Sequence, residues 1–271
     1  MHTLETVSAQ ELVRFELDDN IATITLNRPE KRNALNFQAY DELEAALQFA
    51  STYEDVRSVI ITGADPAFCS GDDVGEIMAA PKPANPKPLV STVRHPVTPA
   101  AAAALACEKP MIAAINGAAI GWGMELAIFC DMRIASDKAK FGELFIKRGL
   151  VCDVGGFYRL PAIVGPAKAA ELLFTGDIFD GAEAERIGFV SKTVPHETLM
   201  EEARALAGRI ASNPPLALRY MKEGLTRFSY GDPQEIGSWA IETIRKLMQT
   251  EDHREGVASF MEKREPVFRG R

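Results

Sequence analysis

The segment Ile115-Asn116-Gly117-Ala118-Ala119-Ile120-Gly121-Trp122-Gly123-Met124-Glu125-Leu126 constrains the fold more than any other stretch of the chain. An apolar strand runs into a glycine-rich turn and an apolar helix opens directly after it, which leaves the N–H groups of the first helical turn without intrahelical partners. Ala67-Phe68-Cys69-Ser70-Gly71-Asp72-Asp73-Val74 repeats the arrangement, with a small-residue turn after the apolar run Val59-Ile60-Ile61 and a helix-forming stretch beyond it. Each turn alone reads equally well as an ordinary strand-to-helix connection. Together they can direct two backbone donors at one oxygen, whatever side chains flank them, and glycine permits that close approach. Such a pair suits an oxyanion, for example the enolate of a thioester.

The length of 271 residues and a hydrophobic content of 46% allow one large core with an appendage. A formal net charge of −8 sets up a field that opposes nucleic acid and anionic membranes, so an anionic ligand would need a local cationic cluster. The first residues, Met1 to Ser8, lack a basic and apolar leader pattern, and no apolar run approaches the ~18 residues that span a bilayer. A cytoplasmic location is expected. Cys69, Cys107, Cys130 and Cys152 show no CxxC pairing and read as reduced, buried thiols. The four histidines show no ligand-pair spacing, and no metal site is expected.

Leu12–Leu17 and Ile21–Leu26 alternate around Asp18-Asp19-Asn20 as a β-hairpin. Asn36 reads as the N-cap of a helix with Tyr40, Leu43, Leu47 and Ala50 on one face, and Val56–Thr62 as the next strand. Residues 79–99 carry Pro81, Pro83, Pro86, Pro88, Pro96 and Pro99 and form a loop. It is either a surface insertion or a flap over the ligand. The flap is favoured because the loop follows the first donor turn, and Lys82 and Lys87 would add positive charge there. After Val194-Pro195 the pattern is helical only, with Leu199, Ala203, Leu206 and Ile210 on one face and further helices over Pro215–Arg227, Pro233–Gln249 and Arg254–Lys263. The chain thus divides into an α/β core, residues 1–195, and a helical subdomain, residues 196–271.

Glu125 falls in the first turn of the donor helix, where the helix dipole lowers a carboxyl pKa and burial raises it. It reads either as a poised base or as a simple helix N-terminal acid. Asp153, in Gly149-Leu150-Val151-Cys152-Asp153-Val154-Gly155-Gly156, lies among apolar residues and glycines. An unpaired carboxyl there would have a raised pKa suited to proton transfer; the same residue would also serve as a helix N-cap.

The two turns, together with Leu26-Asn27-Arg28-Pro29-Glu30-Lys31-Arg32-Asn33-Ala34-Leu35, Cys130-Asp131-Met132-Arg133-Ile134-Ala135 and Gly149 through Pro161, resemble the crotonase (enoyl-CoA hydratase/isomerase) superfamily over nearly the whole chain. The resemblance implies an α/β spiral of stacked ββα units with a C-terminal helical oligomerisation subdomain, a homotrimer or homohexamer, and a role in fatty acid metabolism. It implies an acyl-CoA substrate whose coenzyme A is the only cofactor-like group, and no nucleic-acid or membrane partner. By that resemblance Asp72 and Trp122 supply the oxyanion-hole N–H groups, although glycine is usual where Trp122 stands and a small residue is common in place of Asp72. The indole then either reshapes the acyl pocket or packs away from it. Glu125 matches one catalytic glutamate; where the second is usual, this chain has Phe145. Glu143, two positions earlier, points to the same face if the segment is extended. Asp153 matches an acid used by dienoyl-CoA isomerases and by ring-modified acyl-CoA isomerases. Arg32, Ala34, Ser70, Asp73 and Val74 match the region that holds CoA, and Lys263 a basic position near its phosphates. The expected activity is enoyl-CoA hydration or double-bond isomerisation. The alternatives are a hydrolase or dehalogenase-like enzyme with Asp153 as nucleophile, or a non-catalytic acyl-CoA-binding homologue.

Overall fold

The computed structural model describes residues 2–78, 98–227 and 233–271. Its strands in chain order are β1 (Val13–Asp18), β2 (Ile21–Leu26), β3 (Ser58–Gly63), β4 (Ala67–Cys69), β5 (Met111–Ile115), β6 (Ala118–Ile120), β7 (Met132–Ser136), β8 (Lys140–Gly142), β9 (Phe179–Asp180) and β10 (Lys192–Val194). The helices are α1 (Leu4–Ser8), α2 (Phe37–Thr52), α3 (Pro99–Ala106), α4 (Trp122–Phe129), α5 (Val154–Tyr158), α6 (Leu160–Val164), α7 (Pro166–Thr175), α8 (Gly181–Arg186), α9 (Leu199–Ala211), α10 (Pro215–Arg227), α11 (Pro233–Leu247) and α12 (Glu251–Glu262).

Two sheets receive alternate strands. The first runs β1-β2-β3-β5-β7-β10 and the second β4-β6-β8-β9, so β3/β4, β5/β6 and β7/β8 each place one strand in each layer before the chain returns. This is the stacked ββα spiral expected from the resemblance. β1 and β2 form the expected hairpin, Asp18 opposite Ile21, with Asp19 and Asn20 at φ 48° and 62° in its turn, a conformation their side chains tolerate. From β2 onward the first sheet is parallel.

β3 and β5 are buried at every residue, as strands of a parallel sheet covered on both faces must be. Alternate residues serve different layers. Val59, Ile61, Ala113 and Ile115 join the main core with Leu43 and Leu47 of α2, whereas Ile60, Ile112 and Ile134 meet Leu199, Ala203, Ala207 and Ala211 of α9. The first helix after residue 195 therefore covers one face of the sheet.

Asn36 caps α2 by accepting from Ala39 N at 2.9 Å, as expected. The predicted strand at Val56 begins two residues later, at Ser58. The predicted start of the last helix moves from Arg254 back to Glu251, because Thr250 caps it through His253 N at 3.1 Å. The helix expected beyond Gly71 opens, within the described residues, as a wide π-type turn over Val74–Met78. Asp73 braces its start: Oδ1 accepts from Gly75 N and Glu76 N while Arg28 holds the other oxygen. The proposed flap falls on residues that lie outside the described ones, except for Thr98 and for Pro99, which opens α3. Among the described residues no helix is long and apolar enough to cross a membrane.

Candidate active site

The two donor turns meet because β4 and β6 are parallel neighbours in the second sheet, Ala67 beside Ala118 and Cys69 beside Ala119. Both strands end at the same edge, so the Gly71-Asp72 and Gly121-Trp122 turns emerge side by side. The approach is tight: a Cβ on Gly71, at φ 88°, would stand 2.7 Å from Ile120 O and 3.3 Å from Trp122 N. A Cβ on Gly123 would fall 2.0 Å from Cys69 O, so the first turn of α4 rests directly on β4. These glycines cannot be replaced without moving the turns apart.

Neighbouring hydrogen bonds fix which way the donors face. Leu35 N donates to Gly71 O and Asp73 N to Leu35 O, both at 2.8 Å, which turns the intervening Asp72 N–H away from Leu35. Gly121 N donates to Gly142 O at 2.8 Å, and Trp122 is the first residue of α4. Among the described residues neither Asp72 N nor Trp122 N has a hydrogen-bond acceptor. A cleft of about 30 Å³ lies between them, lined by Ser70, Gly71, Asp72, Gly121, Trp122 and Phe145, which is space for a single oxygen.

The cleft borders a cavity of about 560 Å³ whose walls include Tyr40, Asp72, Trp122, Phe145, Val151 and Asp153. The Trp122 indole faces this cavity and packs edge-to-face on Tyr40, with centroids 4.8 Å apart at 84°. Of the two orientations open to the indole, the pocket-facing one is realised. Tyr40 Oη donates to Asp72 Oδ1 at 2.6 Å, and Trp122 Nε1 donates to Asp153 Oδ2 at 3.2 Å. Burial first, then the Asp72 charge, pushes the Tyr40 phenol well above its usual range, so it remains a donor.

Asp153 fills both of the places open to it. It caps α5 by accepting from Val154 N at 2.7 Å, and it lines the cavity. The assumption of an unpaired carboxyl is corrected here, since both oxygens have neutral donors.

Glu125 is fully buried and accepts from Gly156 N through both oxygens, at 3.0 and 3.1 Å. Burial pushes its pKa up to about 7, opposed by the Gly156 N–H and helped by the negative charge of Asp153. Of the two opposing effects on this residue, burial wins. The glycines of α5 make the arrangement possible: a Cβ on Gly155 would stand 2.2 Å from Glu125 Oε2, and one on Gly156 3.0 Å from Oε1.

Phe145 and Glu143 do not share a face. Phe145 leaves the extended conformation at φ −57°, ψ −44°, starts a 3-10 turn and joins the cavity wall. Glu143 turns inward, is 1% exposed, and has no hydrogen-bond partner at either oxygen. Burial, then the charges of Glu125 and Asp153, pushes its pKa far above the carboxyl range.

The residues matched to CoA binding fall into two groups. Arg32, Ala34, Ser70, Asp73 and Val74 come together beside the Gly71 turn: Ser70 N donates to Arg32 O at 3.1 Å, and Ala34 O accepts from Arg28 Nη1 at 2.6 Å. Asp73 is committed to Arg28 at 3.1 Å; against the pull of burial, the Glu76 N–H and that guanidinium hold its carboxyl below the usual range. Lys263 is exposed at the C-terminal cap of α12 and lines neither cavity. Arg28 and Tyr40 have site roles that pattern alone did not assign. Arg28 sits in an irregular Asn-Arg-Pro turn with no periodicity, and Tyr40 shares the spacing of core residues.

The family model for enoyl-CoA hydratase/isomerase matches residues 16–271. A Mycobacterium bovis protein described as a probable enoyl-CoA hydratase is 40% identical over 258 residues, covering 95% of this chain and 98% of its own. The crotonyl-CoA hydratase of Syntrophomonas wolfei is 36% identical over 263 residues, covering 96% and 98%. The crystal structure of an enoyl-CoA hydratase from Bacillus anthracis superposes with a TM-score of 0.88 at 32% identity, over 96% of this chain and all of that one. Two unpaired amides across a cleft of about 30 Å³, after neighbouring strands of the second sheet, thus accompany a match over almost the full sequence, and the chain belongs to the enoyl-CoA hydratase/isomerase (crotonase) family.

Proposed function

We propose that the protein adds water to, or shifts, the double bond of an enoyl-CoA, with the thioester oxygen held by Asp72 N–H and Trp122 N–H. The observation that carries this reading is the pair of free amides facing a cleft of about 30 Å³. Negative charge gathering on the oxygen would meet donors already in place, the arrangement that lowers the barrier to an enolate. The acyl group then extends into the larger cavity, where Tyr40, Trp122 and Phe145 offer flat apolar walls to a bulky or cyclic chain. The CoA moiety runs past Arg32, Ala34, Ser70 and Val74, and no other cofactor is required.

Asp153 faces the acyl group and Glu125 stands behind the wall. A carboxyl with a pKa of about 7 exchanges protons readily at neutral pH, which supports Glu125 as the principal proton-transfer group. Its enclosure means that productive contact requires the coil before α5 to shift; that coil includes Val151, 74% exposed. Asp153, with both oxygens tied to donors, fits an orienting acid better than an attacking nucleophile. Exposed Met221, Ile241, Ile244 and Phe260 on the C-terminal helices support a homotrimer or homohexamer. The four buried free cysteines support a reducing, cytoplasmic setting.

The test is mass spectrometry of 2-enoyl-, 3-enoyl-, dienoyl- and cyclic enoyl-CoAs after incubation in heavy water. Gain of one water identifies a hydratase. Deuterium uptake with a moved double bond and no added water identifies an isomerase, and an unchanged panel refutes double-bond chemistry on these substrates.

A further inference from the structure

The cavity proposed for the acyl group combines aromatic walls with a surplus of negative charge. Tyr40, Trp122 and Phe145 line it, and the first two rings stand at 84° with centroids 4.8 Å apart, which makes an aromatic corner. Asp41, Glu44, Asp72 and Asp153 line the same space, with no lysine, arginine or histidine among its described lining residues. Arg148 borders the cleft of about 30 Å³ and not this cavity. None of the four acids takes part in a described ion pair. The partners they do have are neutral: the Tyr40 hydroxyl for Asp72, the Trp122 indole and Val154 N–H for Asp153, and the Gln48 amide for Glu44. Neutral donors orient a carboxylate and leave its charge in place.

Uncompensated charge of one sign in a confined space repels ligands of that sign and draws the opposite one. A carboxyl-ended acyl chain is therefore disfavoured here. The four acids do not converge on a point, since no group of described His, Cys, Asp or Glu side chains could hold a metal ion. The Asp72 and Asp153 oxygens at the aromatic corner already accept hydrogen bonds, so a primary ammonium, which must place three N–H donors, is served poorly there. A quaternary ammonium needs no acceptors, and its methyl groups are attracted to aromatic faces by the ring quadrupole. We infer that the cavity selects an acyl chain carrying a quaternary ammonium group, held at the corner of Tyr40 and Trp122 by the charges of Asp72 and Asp153, with Asp41 and Glu44 adding to the field. This rests on the proposed enoyl-CoA chemistry for the thioester end of the substrate. The same cation offsets the negative charge of the cavity as the enolate forms, so selection acts on turnover as well as on binding.

The test compares acyl groups of matched shape and different charge on the full-length protein: 4-trimethylammonio-2-butenoyl-CoA, its neutral isostere 5,5-dimethyl-2-hexenoyl-CoA, and the carboxyl-ended 4-carboxy-2-butenoyl-CoA. The cationic thioester should show a kcat/KM about 10-fold or more above the neutral one, and the carboxyl-ended thioester should fall below both. Equal kcat/KM for the cationic and neutral pair overturns the inference. Asp153→Asn, which keeps an oxygen for the indole, should cut the cationic preference about 5-fold, and Glu44→Gln, at a partly exposed position of α2, about 2-fold. An unchanged preference in both variants overturns it, and Glu44→Gln alone decides should Asp153→Asn fail to fold. Calorimetric titration with the saturated analogues 4-trimethylammoniobutanoyl-CoA and 5,5-dimethylhexanoyl-CoA separates this inference from the proposed function. Binding of the cationic analogue about 10-fold more tightly sustains it when no enoyl-CoA is turned over, a result that refutes the proposed function alone. Equal Kd values overturn it whatever the protein turns over.

Discussion

On the cavity side of the site, Asp72 and Asp153 each meet a neutral aromatic donor, Tyr40 Oη at 2.6 Å and Trp122 Nε1 at 3.2 Å. On the buried side Glu125 leans on the N–H of Gly156, and Glu143 has no partner. Both sides lack a cationic partner for these acids among the described ion pairs. The difference lies in water and donors. Aromatic O–H and N–H groups fix a carboxylate's direction without adding charge, whereas burial decides whether the group is charged at all. On the proposed reading the cavity side orients the acyl group and the buried Glu125 transfers protons. Both functions proposed for Trp122 fall on the cavity side: its backbone N–H borders the cleft and its indole donates to Asp153.

The sharpest way to break this comparison is Glu125→Gln. If the buried side carries the proton transfer, kcat should fall by about 10³-fold, and the wild-type pH–rate profile should break near 7. Stability should move the other way. The Glu125 carboxyl has a folded pKa of about 7 against 4.5 for the ordinary group. Between those values the unfolded chain has released the proton and the native chain has not, so stability falls as pH rises through that window and the deficit is complete above it. Removing the charge should stabilise the protein above pH 7 by up to about 3 kcal/mol and leave it nearly unchanged at acidic pH. Thermal melts of both proteins across pH check this; equal Tm shifts at all pH values would show that burial does not govern this carboxyl.

Gly155→Ala attacks the same side through geometry. The backbone at Gly155 suits an L-residue, yet the new Cβ would lie 2.2 Å from Glu125 Oε2 and 3.1 Å from Ile128 Cγ2. The carboxylate must move by an ångström or so, and a displacement of that size costs about 10²-fold in kcat. KM should change little. A variant with wild-type kcat would show that Glu125 is not positioned by α5.

Much of this site could be read from residue order because backbone-built features leave local traces. The paired glycine turns, the cap at Asn36 and the alternation of β3 and β5 each follow from short-range rules. What could not be read depends on packing between distant segments. Whether the Trp122 indole faces the cavity is decided by Tyr40, 82 positions earlier in sequence. Local sequence offers Asp153 the cap of α5 but no donor for its second oxygen; that donor is the indole 31 positions away. Glu143 and Phe145 separate onto different sides because the chain leaves the extended conformation by Phe145, the cap of a 3-10 turn over Ile146–Arg148, where a period-two pattern assumes extended chain. The π-type turn at Val74–Met78 likewise follows Asp73, which Arg28 reaches from a different part of the chain.

The cavity side offers the mildest test. Tyr40→Phe removes the hydroxyl that holds Asp72 Oδ1 and keeps the ring that packs edge-to-face on Trp122. The Asp72 side chain would be freed toward the acyl group, while its backbone N–H, fixed by the hydrogen bonds of Gly71 and Asp73 with Leu35, would stay in place. Loss of one hydrogen bond to a carboxylate then appears as poorer ground-state fit: KM should rise about 5-fold with kcat within about 2-fold. A comparable fall in kcat with KM unchanged would mean that the Asp72 side chain works in the transition state, and that the cavity side does more than orient.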